Sequence, residues 1–553
     1  MAAESGGPVT AAYGTWASPI SAESLAKGAI GVSDLRTEGG RMFWLENRPD
    51  QAGRMVIMTG DADGARELTP EGFSVRTRVH EYGGAAYVVV GETLYFSNFT
   101  DQRLYAQRIG EAPVALTPTG YRYADAIAAH GGGLISVRED HTDPADVKNA
   151  IVALSGEPGD AGRVLFGDSD FVAYPRLNAD GNRLAWMAWD HPNMPWDDTR
   201  LYAADLGPDG LSNVEIVAGG GAESVVEPNW GPDGALYFIS DRSGFWNLYV
   251  RRDGETHAVL PKDGEFAGPL WGLGQSNYVL LPDGRIVASY GDADGDHLVV
   301  IDQGEAHEIA LPFTVFGALH VLDSRTVAMA AASGVQTGAV VMVDIETGAA
   351  SVVRRPSPTE IDPRYISRAE AITFPSAGGL SVHALYYQPT NGDFAAPAGA
   401  KPPLIVQVHG GPTAGASSSL SLANQFWTSR GFAIVDVDYG GSTGYGRAYR
   451  QRLNGKWGVV DVEDVIAAVK FLASQGRVDP DRVAIHGGSA GGFTVLAALS
   501  QSDVFGAGAS FYGVADLGAL ARDTHKFESR YLDNLVGPYP AAKAVYDERS
   551  PLN

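Results

Sequence analysis

Two stretches of the chain carry the same punctuation. One runs Pro175-Arg176-Leu177-Asn178-Ala179-Asp180-Gly181, then an apolar strand ending at Asp190, then Leu201-Tyr202. The other runs Pro228-Asn229-Trp230-Gly231-Pro232-Asp233-Gly234, then a strand ending at Asp241, then Leu248-Tyr249. Leu94-Tyr95 with Leu104-Tyr105 forms an earlier copy, and Asp283-Gly284 opens a degenerate later one. Each Asp-Gly supplies the positive φ that a tight hairpin turn demands. A repeat of roughly 47 residues with about four strands per unit is the signature of a β-propeller. The whole of residues 36–355 reads as short strands broken by turns, with hardly any helical periodicity. At ordinary blade length it holds about seven blades. Two β-sandwiches are the competing all-β reading, and the visible repeat argues against them. The 69 glycines and 31 prolines among 553 residues fit a chain this rich in turns.

The texture changes at Arg354-Arg355-Pro356-Ser357-Pro358 and Asp362-Pro363, which read as a linker. From residue 356 to 553, apolar strands (Pro403–Gly411, Phe432–Tyr439, Asp481–Gly488, Gly506–Val514) alternate with helical patterns. Strands apolar on both faces, separated by helices, mean a mostly parallel, doubly covered sheet. Residues 1–35 hold one short helical segment, Ser21 to Ala29, and are expected to pack on this second domain.

The chemistry sits in the second domain. Val483-Ala484-Ile485-His486-Gly487-Gly488-Ser489-Ala490-Gly491-Gly492 is a strand running through Gly-x-Ser-x-Gly into a helix. That context makes the motif a nucleophile elbow of an α/β-hydrolase. Ser489 is the expected nucleophile. Gly487 and Gly491 let strand and helix close around it, and the helix N-terminus favours negative charge beside it. A phosphate-binding loop is excluded, since no lysine follows the glycines. Upstream, Leu404–Val408 runs into His409-Gly410-Gly411-Pro412, the usual source of one oxyanion N–H. The expected oxyanion donors are therefore the backbone N–H groups of Gly411 and Ala490. His409 precedes the serine, whereas the hydrolase order is serine, acid, histidine, so it shapes the loop and is not the base.

Composition narrows the partners. With 66 acidic against 41 basic residues the net charge is −25, which repels phosphate backbones and argues against nucleic acid. There is no cysteine, hence no disulfide or thiolate chemistry. Acidic groups such as Asp190, Asp197 and Asp198 lack a spaced ligand set, so neither a metal nor another cofactor is expected. The first residues lack a basic segment followed by an apolar one, and no apolar run reaches ~18 residues, so no signal peptide or membrane span is expected. The expected location is cytoplasmic. No motif specifies an oligomeric state.

A propeller followed by this hydrolase pattern resembles the prolyl oligopeptidase family of serine peptidases, over essentially the whole chain. The family's G-G-S-x-G-G is matched by Gly487 to Gly492, and its H-G-G-P loop by His409 to Pro412. Ser442-Thr443-Gly444-Tyr445-Gly446, then Lys456-Trp457-Gly458 and Asp461, is similar to a further family segment. More narrowly, the chain resembles the bacterial acylaminoacyl-peptidase and dipeptidyl-aminopeptidase branch. Trp44 to Pro49, Val79 to Gly84 and Trp189 to Asn193 resemble an aminopeptidase subgroup that also acts on aminoacyl amides of the puromycin type.

The resemblance implies acyl transfer on short peptides, with the propeller excluding large folded proteins. It implies a pocket wall at Phe511 and Tyr512. Recognition of a free amine needs a carboxylate, and Glu81, Glu227 and Glu265 are the propeller candidates. A carboxylesterase, an acylaminoacyl peptidase and a non-enzymatic scaffold are the alternatives. The resemblance also places the triad's acid and histidine after the nucleophile, beyond Asn553. Neither Asp516 nor His525 fits those roles. The hydrolase domain is therefore expected to be incomplete, inactive or nearly so as it stands, with an uncovered sheet edge.

Overall fold

A computed structural model of the chain describes residues 7–27, 30–61, 63–356 and 361–553. Seven four-stranded antiparallel sheets, each built from four consecutive strands, form the propeller. They begin at Val32, Tyr87, Tyr121, Phe171, Val225, Tyr278 and Val315, and the seventh ends at Arg354. These are blades 1 to 7. Leu94-Tyr95 and Leu236-Tyr237 lie on the second strands of blades 2 and 5, Leu104-Tyr105 and Leu248-Tyr249 on their third strands. The repeat in the sequence is thus a repeat of blades.

Blade 1 starts ahead of residue 36 because its inner strand breaks alternation at Asp34, where the pairing slips between Ser33 and Arg36. Asp34, Asp125, Tyr174, Glu227 and Ala318 all have φ near +50°. Each sits at such a slip in its blade's inner strand. The bulge turns the side chain toward the next blade. Asp34 accepts from the Ala85 and Ala86 N–H groups at 3.1 Å. Asp125 accepts from Tyr174 N–H at 2.9 Å, and Glu227 from Asn277 N–H at 2.8 Å. Among the described residues no strand bridges blades 7 and 1. Side chains close that seam: Leu35, Trp44 and Met58 pack with Ala328, Val340 and Val353. Across the same seam Arg354 Nε donates to the fully buried Glu46 carboxylate at 2.7 Å.

The propeller axis holds a cavity of about 350 Å³ lined by Arg36, Asp125, Tyr174, Arg176 and His320. A strap, residues 265–277, crosses one mouth of it between blades 5 and 6. Leu273 N–H donates to Gly83 O at 2.8 Å, and Gly84 passes so close that a Cβ there would lie 2.1 Å from Leu273 O. Gln275 O accepts from Tyr174 OH of blade 4 at 3.1 Å, and Leu319 N–H of blade 7 donates to Ser276 O at 2.8 Å.

The second domain is a six-stranded sheet. Its strands are β1 (Glu370–Pro375), β2 (Ser381–Tyr387), β3 (Leu404–Val408), β4 (Ala433–Asp438), β5 (Val483–Gly488) and β6 (Ala507–Phe511), in the order β1-β2-β4-β3-β5-β6. The four strands read as parallel pair in parallel. Sequence reasoning missed β1 and β2, an antiparallel pair joined by a Gly-rich turn at one edge. Half-exposed, they lack the long apolar runs that mark the central strands. β6, mostly exposed, forms the other edge. Helices α1 (Leu422–Thr428), α2 (Gly446–Arg450), α3 (Val460–Ser474) and α4 (Ala490–Gln501) accompany it. After β6 come α5 (Leu517–Asp523), α6 (Tyr531–Leu535) and α7 (Lys543–Arg549).

The N-terminal segment lies on this domain. Val9–Thr10 pairs in parallel with Phe394–Ala395, and Arg430 donates to Ile20 O at 2.8 Å. Its helix is Ala22–Lys27; Gly28 and Ala29 lie outside the described residues, as do Ser357 and Pro358 of the linker. Among the described residues no helix is long and apolar enough to cross a membrane.

Candidate active site

Ser489 stands between β5 and α4 with φ 53° and ψ −120°, a conformation L residues adopt only under constraint. The constraint is visible. Ser489 N–H donates to Phe511 O at 3.0 Å, and Ser489 O accepts from Phe493 N–H at 3.1 Å. Glycine is required on both sides. A Cβ on Gly487 would meet Val408 O at 2.7 Å, and one on Gly491 would meet it at 2.2 Å. The strained serine is exposed.

The loop after β3 runs directly over this turn. A Cβ on Gly410 would lie 3.4 Å from Ser489 Cβ, and Gly411 has φ 122°. Among the described residues neither Gly411 N–H nor Ala490 N–H is spent on a backbone acceptor. Two free donors thus flank an exposed hydroxyl at a helix N-terminus, where negative charge is stabilised.

His409 holds the loop. Its ring stacks on Tyr439 at 4.5 Å, Nε2 lies 2.7 Å from Ser442 Oγ and Nδ1 2.9 Å from Gly410 O. Burial pulls its pKa down, so it is a neutral ring with both nitrogens engaged. The Ser442-to-Gly446 and Lys456-to-Asp461 motifs are scaffold as well. Asp461 accepts from Gly458 N–H at 2.7 Å and from Thr494 Oγ of α4 at 2.6 Å. Burial pushes its carboxyl up to about 6 despite these bonds. Trp457 packs on Phe493 at 4.5 Å, which fixes the nucleophile helix from behind.

The structure gives the remaining sequence candidates varied places. Phe511 and Tyr512 are exposed, and the Tyr512 ring lies over Gly488, next to Ser489. Glu81 is occupied by Arg78 and Arg122 at 2.7 and 2.6 Å. Glu227 is buried in the propeller, where burial pushes its carboxyl up to about 7 against the bonds from Asn277. Glu265 accepts from Trp246 N–H at 2.7 Å and Gly446 N–H at 3.0 Å, joining blade 5 to α2. Asp516 caps α5 through Ala519 N–H at 3.0 Å. His525 packs against Tyr82 and lies 3.9 Å from Glu528. Among the described residues no group of three acids or histidines is arranged to hold a metal ion.

Sequence reasoning missed the cleft between the domains. Phe527, between α5 and α6, is buried among the propeller rings of His80, Phe171, Trp189 and Tyr82. Its neighbour Lys526 donates to Val147 O and Asp170 O, both at 2.8 Å. His191 Nε2 donates to Lys526 O at 2.9 Å. Trp271 of the strap donates to Thr413 O at 2.6 Å, two residues after Gly411, and Tyr531 OH meets Thr413 Oγ at 2.6 Å. The propeller therefore touches the loop that carries the Gly411 N–H. Two of the propeller motifs, Val79 to Gly84 and Trp189 to Asn193, lie at this contact.

Comparison with known proteins agrees in fold and in sequence. The prolyl oligopeptidase family model matches residues 418–553. A Mycobacterium tuberculosis puromycin-hydrolyzing peptidase superposes with a TM-score of 0.94 at 40% identity, over 98% of this chain and 86% of that one. A puromycin hydrolase mutant complexed with PGG gives a TM-score of 0.92 at 37% identity, over 98% and 86% of the two chains. Dipeptidyl aminopeptidase BIII of Pseudoxanthomonas mexicana is 35% identical over 156 residues; the match covers 27% of this chain and 23% of that protein's length.

Proposed function

The chain belongs to the prolyl oligopeptidase family, and from that premise we propose that it hydrolyses short peptides or aminoacyl amides from the N-terminus through an acyl-enzyme on Ser489. The observation that carries this reading is the strained, exposed Ser489 beside two unspent N–H groups. Ser489 Oγ attacks the scissile carbonyl, and the carbonyl oxygen becomes an oxyanion held by the Gly411 and Ala490 N–H groups. Collapse expels the amine and leaves an ester on Ser489, which water then cleaves. The reaction needs a base for the serine proton and an acid to orient that base. By the family resemblance these are a histidine and a carboxylate that come after the nucleophile in the family's order; His409 is engaged with Ser442, and His525 lies in the domain cleft against Tyr82. Tyr512, over Gly488, walls the pocket for the residue whose carbonyl is attacked.

The test uses the protein as the cell makes it, assayed on aminoacyl anilides, N-acyl-aminoacyl anilides and p-nitrophenyl esters. Turnover of aminoacyl anilides that falls by at least about a thousandfold in Ser489→Ala is the expected result. Ester cleavage without peptide cleavage, or turnover that survives Ser489→Ala, overturns the proposal.

A further inference from the structure

An ammonium ion that leaves water needs a counter-charge. The three acids suggested by sequence are each consumed in place, Glu81 by two arginines, Glu227 by Asn277 inside the propeller, and Glu265 by two backbone N–H groups. Asp197, also near the interface, is half-buried and accepts from Met194 N–H at 3.0 Å and Asn534 at 3.1 Å.

One acid in the cleft is different. Glu528 follows the Phe527 plug, and its side chain is 18% exposed. Its partners are the Tyr82 hydroxyl, which donates to Oε1, and His525, whose Nε2 lies 3.9 Å from Oε2. Among the described residues no arginine or lysine pairs with it. The rings around it are set for a cation. Tyr82 is 45% exposed, and its ring lies 5.1 Å from Trp271 and 5.8 Å from Phe527. Trp271 in turn is bonded to Thr413, on the loop beside Ser489. A carboxylate bonded to a half-exposed tyrosine whose ring meets Trp271, with no arginine or lysine paired to it among the described residues, is a site for an organic ammonium.

We propose that Glu528, with the faces of Tyr82 and Trp271, binds the free α-ammonium of the peptide or aminoacyl-amide substrate, and so sets the preference for an unblocked N-terminus. The inference rests on the peptidase reading above. The site joins the two domains: Glu528 comes from the hydrolase domain, Tyr82 and Trp271 from the propeller. It forms only when the domains are docked.

The test is binding without turnover. Ser489→Ala protein is titrated calorimetrically with Ala-Ala-Ala and with N-acetyl-Ala-Ala-Ala at pH 7, where the free amine is charged. The expected result is at least tenfold tighter binding of the free peptide. In Ser489→Ala/Glu528→Gln that ratio falls to within twofold of unity, while the affinity for the acetylated peptide stays as it was. An unchanged acetyl-peptide affinity reports an intact fold. A tenfold preference that survives Glu528→Gln overturns the inference and leaves the peptidase reading standing. So does equal binding of both peptides by the parent. Failure of the parent to bind either peptide removes the peptidase reading, and the inference with it.

Discussion

The two domains meet along two faces that solve the same problem in opposite ways. On one face the acids are saturated. Asp241 of blade 5 accepts from Arg447 at 2.6 Å and from Arg450 at 2.5 Å, and Arg450 lies 4.1 Å over the Trp246 ring. Arg447 also donates to Asp197 O at 2.6 Å. On the other face, around Phe527, the contact is aromatic and one carboxylate, Glu528, has no arginine or lysine partner among the described residues. A buried charge that is fully paired fixes geometry. One that is left open has affinity to spare for a ligand. The difference teaches which face holds the molecule together and which is free to recognise something.

The strongest way to break this comparison is Asp241→Ala. It leaves two guanidinium groups facing each other at a buried site, and breaking a buried pair in this way costs about 3–5 kcal/mol. The measurement is the thermal unfolding of the whole chain, and an unchanged transition would mean that the ionic face holds nothing.

Glu227 offers a pH signature between the extremes, a buried acid held by the bonds from Asn277. Its folded pKa of about 7 lies above the ordinary 4.5, so the folded state keeps a proton that the unfolded chain has lost. Stability therefore falls as pH rises from 4.5 toward 7, and Glu227→Gln flattens that slope in denaturation curves taken across the window.

Trp271→Phe keeps an aromatic side chain but removes the N–H to Thr413 O and part of the ring packing, which should cost at least about 1 kcal/mol in unfolding experiments. Glu528→Gln sits at the small end. Its carboxylate makes no ion pair with arginine or lysine among the described residues, so stability should stay within about 0.5 kcal/mol of the parent while amine selectivity changes. A large loss of stability there would erase the contrast between the two faces.

Much of the architecture was legible in the sequence because backbone geometry demands particular residues. Asp180-Gly181, Asp233-Gly234 and Asp283-Gly284 mark hairpins in which the glycine has φ 68°, 78° and 92°. The glycines around Ser489 and the His409-Gly410-Gly411 loop are likewise dictated by atoms closer than a Cβ allows. The bulges of the inner strands were not legible. The same left-handed turn is taken by Asp, Asp, Tyr, Glu and Ala at positions 34, 125, 174, 227 and 318, so the geometry repeats and the letters do not. The partners of the amine candidates were not legible for a related reason. With 66 acids in the chain, composition cannot say which one lacks a partner, because pairing is decided by contacts between distant segments. Tyr82 and Glu528 are 446 residues apart.

The strap that ties Leu273 to Gly83 has one more consequence. It crosses one mouth of the propeller's central cavity, on the side where Trp271 reaches Thr413 of the loop beside Ser489. A peptide threaded along the axis would have to unzip Leu273 from Gly83 and draw Trp271 away from Thr413.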